Sequence, residues 1–156
     1  MRFFLIDRIT RWEPGKAAEA VKNIALSEDF FDDHFPRRPV MPGVLILEGM
    51  AQLSGLLLEA SLSLKSREAQ SSAEPKAILT IIEKTKFRDM ARPGDTLTYQ
   101  AEVIALNDEA GKARVTAACG ERVIVTTEMV FAFKYVDDPV LREKRQSLMK
   151  TWLAGD

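Results

Sequence analysis

The single histidine of the chain, His34, stands just ahead of a proline-rich segment, and Glu48 stands inside an apolar one. With Gly43 between them, these are the residues with which the sequence could do chemistry. A lone loop histidine ordinarily has no special role, but imidazole titrates near neutrality and can act as a base there. Glu48 has Leu45, Ile46, Leu47, Met50 and Ala51 as neighbours. The ordinary reading of a helical glutamate is a group facing water. Yet the positions one turn away are Val44, Leu45, Ala51 and Gln52, so no polar stripe supports that reading here. A carboxyl held among apolar groups keeps its proton, and a neutral carboxylic acid can donate it. Gln52, four positions on, can orient Glu48 by a hydrogen bond. Gly43 can be read as a simple turn glycine. At a helix N-terminus, however, unpaired N–H groups and the helix dipole favour a negatively charged oxygen. A base, an acid and an oxyanion donor suit the removal of water from a 3-hydroxyacyl thioester. The base takes the C2 proton, the acid protonates the departing C3 hydroxyl, and the N–H supports charge on the thioester oxygen.

These residues need particular elements to hold them. The run His34-Phe35-Pro36-Arg37-Arg38-Pro39-Val40-Met41-Pro42-Gly43 has a proline every third position. Such spacing fits neither a helix nor a central strand, so an extended loop is predicted. Residues 44–64 lack proline and are dense in Leu, Ala, Met and Glu, which predicts one long helix started by Pro42. Residues 40–58 contain one charge, Glu48, but also Pro42, Gly43, Gly49, Gln52, Ser54 and Gly55, so a helix buried in protein fits better than a membrane span. The rest reads mainly as strands. Residues 2–12 run to a turn at Trp12-Glu13-Pro14-Gly15, residues 16–26 favour a second strand, and Ser27 is placed to cap a short helical turn over 28–32. Residues 77–88, 96–106, 112–119 and 122–136 follow, with turns at Arg92-Pro93-Gly94-Asp95, at 107–111 and at Gly120. Alternation places Leu97, Tyr99, Ala101 and Val103 on one face. Residues 66–75 read as a loop, and Asp138-Pro139 begins a C-terminal helix over 140–153. One long apolar helix among five or six antiparallel strands is an α+β arrangement, a curved sheet wrapped around the helix.

Composition narrows the function classes. A chain of 156 residues suits one domain, and 46% hydrophobic residues exclude a disordered chain. With 22 Lys and Arg against 23 Asp and Glu, there is no bulk charge for gripping nucleic acid. One cysteine, Cys119, and one histidine exclude an internal disulfide, a multi-cysteine metal site and a His-rich one. The apolar run at residues 3–6 is too short for the core of a secretion signal, so a cytoplasmic, reducing location is expected. Lys84, Lys86 and Arg88 alternate and so share one strand face. That face is either plainly solvated or a dock for an acidic carrier protein, which Arg37, Arg38 and Arg92 could join. Arg142, Lys144, Arg145 and Lys150 read as the solvated face of the last helix.

Longer motifs resemble a known family. Phe4-Leu5-Ile6-Asp7-Arg8, Glu13-Pro14-Gly15-Lys16, Phe30-Phe31, His34-Phe35-Pro36, Pro39-Val40-Met41-Pro42-Gly43-Val44-Leu45, Glu48-Gly49-Met50-Ala51-Gln52, Lys86-Phe87-Arg88 and Pro93-Gly94-Asp95 look like the 3-hydroxyacyl-acyl-carrier-protein dehydratases of type II fatty-acid synthesis. The likeness covers residues 3–135. It implies a hotdog fold over residues 1–137, followed by a helical extension over 138–156. It implies dehydration of (3R)-3-hydroxyacyl-carrier protein to the trans-2-enoyl product in fatty-acid or related lipid and polyketide synthesis. His34 and Glu48 become the catalytic pair, Gly43 the oxyanion donor, Val40 a backbone partner of His34, and Gln52 an orienting residue. Lys84, Lys86, Arg88 and Arg92 become candidates for binding the acyl carrier protein. No metal or other cofactor is implied, because the substrate rides on the phosphopantetheine arm of the carrier. The family resemblance also implies a homodimer or larger homo-oligomer with sites shared between protomers. Glutamate at position 48 resembles the branch that only dehydrates; the isomerising branch has aspartate there. The family usually has glycine on both sides of His-Phe-Pro, where this chain has Asp33 and Arg37, residues that disfavour the backbone shapes open to glycine. The rival readings are a hotdog thioesterase, which releases a free acid, and a non-catalytic acyl- or carrier-binding module.

Overall fold

A computed structural model describes residues 3–65 and 72–154 of the chain. Its strands are β1 (Arg8–Glu13), β2 (Ala17–Asn23), β3 (Glu74–Phe87), β4 (Thr96–Leu106), β5 (Ala110–Cys119) and β6 (Arg122–Val136). They make one six-stranded antiparallel sheet in the order β1-β2-β4-β5-β6-β3. Helix α1 (Gly43–Lys65) packs against the sheet, and helix α2 (Pro139–Leu153) follows the last strand. The α+β class and the sheet around a long helix agree with the sequence. Tight reversals occur at the expected glycines, with Gly15 at φ 87°, Gly94 at φ 93° and Gly120 at φ 59°, values that cost glycine nothing.

Helix α1 is long and apolar enough to span a bilayer, and more than half of that stretch is buried inside the protein itself. Met50, Leu53, Leu57, Leu58 and Leu62 are fully buried. Burial of each such side chain favours the fold by roughly 1.5–3 kcal/mol. The sheet supplies the partners, among them Leu97, Tyr99 and Ala101 from the predicted inner face of β4. At Gly49 the helix comes so close to the Tyr99 ring that any Cβ would overlap it. The residue after Glu48 is therefore glycine for a packing reason.

Several expectations change. The apolar run at residues 3–6 does not start the first strand. Leu5 and Ile6 are buried against the helices instead: the Leu5 N–H donates to Gln52 Oε1 (3.1 Å) on α1, and Trp152 Nε1 on α2 donates to the Ile6 carbonyl (3.0 Å). Ser27 is not a cap. The turn there is a short 3-10 helix, Asp29–Phe31, with Glu28 at its N-cap and no capping side chain. Residues 66–71 of the expected loop lie outside the described residues, and β3 already begins at Glu74. The basic residues of α2 are not uniformly solvated. Arg142 pairs with Glu74 (3.2 Å) and Asp137 (3.0 Å), and Arg145 pairs with Glu59 of α1 (2.7 Å). Asp138 caps α2 as its sequence suggests, accepting from the N–H groups of Val140 (3.0 Å) and Leu141 (3.1 Å).

Candidate active site

The short 3-10 helix delivers the chain to His34, whose N–H donates to the Phe30 carbonyl (3.0 Å). The proline loop then turns back on itself. The Val40 N–H donates to the His34 carbonyl (3.0 Å), and the Val40 carbonyl lies 2.7 Å from His34 Nδ1. A carbonyl only accepts, so Nδ1 bears the hydrogen, and in the neutral ring Nε2 keeps its lone pair. Phe35 stacks on the imidazole at 4.1 Å between centroids. The loop holds Arg37 at φ 124°, a backbone shape that suits glycine, at the position where the family usually has one.

Gly43 opens α1, and the first bonds at this end run from the Leu45 and Ile46 N–H groups to the Pro42 carbonyl (3.0 and 3.3 Å). The Gly43 and Val44 N–H groups therefore precede the hydrogen-bonded turns and point off the helix end. A Cβ on Gly43 would lie 2.5 Å from Cε1 of Phe87, the last residue of β3, so only glycine lets that ring cover the helix end.

Glu48 is half-buried, one and a half turns into α1. Gln52 Nε2 donates to Glu48 Oε1 (3.1 Å) and to the Phe3 carbonyl (3.0 Å), while Gln52 Oε1 accepts from Leu5. Both ends of the amide are thus engaged, and Gln52 holds Glu48 in one orientation. Glu48 faces a cleft of about 330 Å³ lined by Ala51, Gly55, Leu79 and Phe131. His34 does not line that cleft. A second cleft, about 740 Å³, lies by Val40 and is lined by Phe35, Arg38, Met90 and Arg92. Among the described residues, no hydrogen bond joins His34 to Glu48, and His34 lines neither of these two clefts.

The basic candidates divide. Lys84 lies at a bulge in β3, at φ 53°, and its Nζ pairs with Glu128 (3.3 Å). Arg88 lies beyond the end of β3. The expected single stripe is therefore interrupted, because the bulge breaks the two-residue alternation on which it rested. Lys86 and Arg88 remain exposed near Phe87, and Arg92 stands with Arg38 on the second cleft.

One pair at the first cleft was not singled out from the sequence. Glu59 of α1 accepts from the Ala77 N–H (2.8 Å) and from Arg145 of α2, and burial pushes its carboxyl above the usual range despite the guanidinium. The signal was available: Glu59 stands beside Leu58 and Ala60, with Gly55, Leu56 and Leu62 a turn away, much the setting that marked Glu48.

A family model described as the FabA-like domain matches residues 1–134. The chain belongs to the FabA-like domain family. Curated relatives include the 3-hydroxyacyl-(acyl-carrier-protein) dehydratase FabZ of Caldicellulosiruptor saccharolyticus, 40% identical over 85% of this chain and 89% of that one. The FabZ of Acetivibrio thermocellus is 41% identical over 83% and 84%. That of Nitratiruptor sp. is 48% identical over 65% of this chain and 68% of its own. Among solved structures, the dehydratase heterocomplex ApeI:P from Xenorhabdus doucetiae has a TM-score of 0.62 at 14% identity, covering 92% of this chain and 90% of that one. A hypothetical thioesterase with coenzyme A from Streptococcus pneumoniae has a TM-score of 0.61 at 10% identity, covering 84% and 88%. These structural likenesses establish the hotdog fold of this FabA-like chain.

Proposed function

We infer that this FabA-like protein dehydrates 3-hydroxyacyl chains carried by acyl carrier protein, giving the trans-2-enoyl thioester in fatty-acid synthesis. The observation that supports this most is that the family-matched segment contains His34, Gly43 and Glu48 on the shared scaffold. In this reading His34 Nε2 takes the C2 proton. Charge developing on the thioester oxygen is met by the N–H groups at Gly43, and Glu48 gives its proton to the C3 hydroxyl as that bond breaks and water leaves. Afterwards the proton on His34 and the vacancy on Glu48 are restored by exchange. The His34–Val40 and Glu48–Gln52 hydrogen bonds are positioning contacts for this chemistry. No metal or organic cofactor enters any of these steps. The carrier docks through Lys86, Arg88 and Arg92, with Lys84 at the margin.

The working unit is a cytoplasmic homodimer or larger homo-oligomer in which His34 of one protomer faces Glu48 of another. Support comes from the lack of a hydrogen bond between the two groups among the described residues and from the apolar surface exposed nearby. Strand β3 is a long sheet edge that exposes Ile78, Ile81, Ile82 and Phe87, and Phe35 and Val44 are exposed at the loop and helix end. An apolar, unpaired edge of this length calls for a covering partner.

The test is incubation with 3-hydroxyacyl-carrier substrates, read by mass spectrometry. Loss of water with the thioester intact is the expected result. A free acid in its place shows a thioesterase.

A further inference from the structure

Gln52 presents an N–H to Glu48, and the groups that make it do so lie far from both in sequence. An amide side chain can turn either its oxygen or its nitrogen towards a neighbour. Here the N-terminal segment decides. The Leu5 N–H can only donate, and it takes Gln52 Oε1 (3.1 Å). The Phe3 carbonyl can only accept, and it takes one hydrogen of Nε2 (3.0 Å). The other hydrogen is left for Glu48 Oε1 (3.1 Å), so Oε2 is the oxygen free to carry the proton of the acid. Residues 3–6 belong to no strand or helix, so no ladder holds them in place. Beyond the burial of Leu5 and Ile6, their anchor is the last turn of α2. The buried Trp152 donates its Nε1–H to the Ile6 carbonyl (3.0 Å), and its ring meets Phe4 edge-on at 5.9 Å between centroids. Phe3, Phe4, Glu48, Gln52 and Trp152 all line one cleft. Helix α2 lies entirely outside residues 1–134, the segment matched to the family, so this anchor stands outside the matched scaffold.

We propose that Trp152 is a positioning residue for the acid: through residues 3–6 and Gln52 it fixes the orientation in which Glu48 gives up its proton. The proposal rests on the dehydratase reading, which makes Glu48 the acid. Without the indole N–H the segment loosens. Gln52 then turns its oxygen as well as its nitrogen to Glu48, and the proton of the carboxyl is drawn onto Gln52 instead of the substrate. Misplacing a reacting group by about 1 Å can cost about a hundredfold in rate, so a loosened carboxyl is felt in turnover. Substrate binding does not use this orientation and is left unchanged.

Two replacements remove the N–H: Trp152→Phe, and benzothienylalanine at the same position, an isostere that keeps the fused ring and its packing. Each should lower kcat about tenfold on hydroxyacyl-carrier substrates and leave KM unchanged. Met149→Ala is the control. It removes packing from the same helix, because Met149 is partly buried against the core and makes no polar bond, and it should lower Tm with kcat retained. In a double-mutant cycle, adding Trp152→Phe to Gln52→Leu should lower kcat less than about twofold further, since the path through Gln52 is already cut. The link is also read without turnover. The side-chain amide signals of Gln52, identified by their loss in Gln52→Leu, should shift in nitrogen-15 NMR spectra of both Trp152 variants and stay in place in Met149→Ala. Circular dichroism identifies the folded variants, and the isostere carries the test if the phenylalanine does not fold. Native kcat in the folded Trp152 variants, an equal loss in Met149→Ala, additive losses in the cycle, or unmoved Gln52 signals each overturn the proposal. If the Gln52 signals shift as expected but the native protein yields no enoyl product, the link from Trp152 to Gln52 stands and the dehydratase reading fails.

Discussion

His34 and Glu48 each rest on one defining hydrogen bond. The Val40 carbonyl engages Nδ1, which directs the free lone pair of His34 to Nε2, and Gln52 holds one carboxyl oxygen of Glu48. If they are base and acid, His34→Ala and Glu48→Gln should each lower kcat by about 10²–10⁴-fold. Enoyl formation measures the loss, and an unchanged far-UV circular dichroism spectrum shows that the fold persists. Near-native turnover in both variants removes the assignment. Arg37 carries the opposite prediction. It occupies a left-handed backbone shape at φ 124° without being glycine, a strain of about 1–3 kcal/mol that glycine relieves and only partly returns through a more flexible unfolded chain. Arg37→Gly should therefore raise stability by about 1 kcal/mol, a Tm gain of about 2–4 °C for a domain of this size. A lower Tm shows that the arginine side chain contributes more than its backbone costs.

At the scale of elements, α1 and α2 are joined by Glu59 and Arg145. Burial raises the Glu59 carboxyl, and Arg145, the Ala77 N–H and Lys76 oppose the shift without cancelling it. The sign follows from linkage. A carboxyl whose folded pKa is raised stabilises the fold fully below its unfolded value of 4.5 and loses that contribution as pH rises through the folded value. Urea unfolding of the native protein and Glu59→Gln, from about pH 4 to about pH 7, should show the native protein losing stability relative to the variant as pH rises. A relative gain with pH shows that the guanidinium outweighs burial.

At the scale of the whole molecule, the shared-site reading leads to a complementation test. Inactive His34→Ala and Glu48→Gln proteins, mixed under conditions that exchange subunits, should regain part of the activity, because some mixed dimers hold one intact pair. Native mass spectrometry verifies the exchange. Exchange without recovery places both groups in one chain. The carrier surface gives a second expectation. Reversing Lys86 and Arg88 to glutamate should weaken carrier-bound substrates far more than small pantetheine mimics and flatten the salt dependence of turnover. Equal losses on both substrates show an ordinary solvated surface.

The sequence by itself determined the elements and the candidates for chemistry. The limits of β4, the start of α1 after Pro42, the cap at Asp138 and the glycine turns all follow from neighbouring residues, through alternation, proline geometry and capping. His34, Gly43 and Glu48 were legible because their types clash with their surroundings over a few positions. Tertiary structure alone decided what depends on distant partners. Residues 3–6 alternate too little to show whether a sheet or a helix receives them, and Trp152, 146 positions away from Ile6, settles it. A bulge against β6 broke the basic stripe on β3, and no local pattern announces which residue a ladder leaves over. Glu59 and Arg145 are 86 positions apart, and nothing in the sequence around Glu59 names Arg145 as its partner. Propensity and periodicity act within about one helical turn or one strand, whereas the Glu59–Arg145 contact depends on how α1 and α2 pack together.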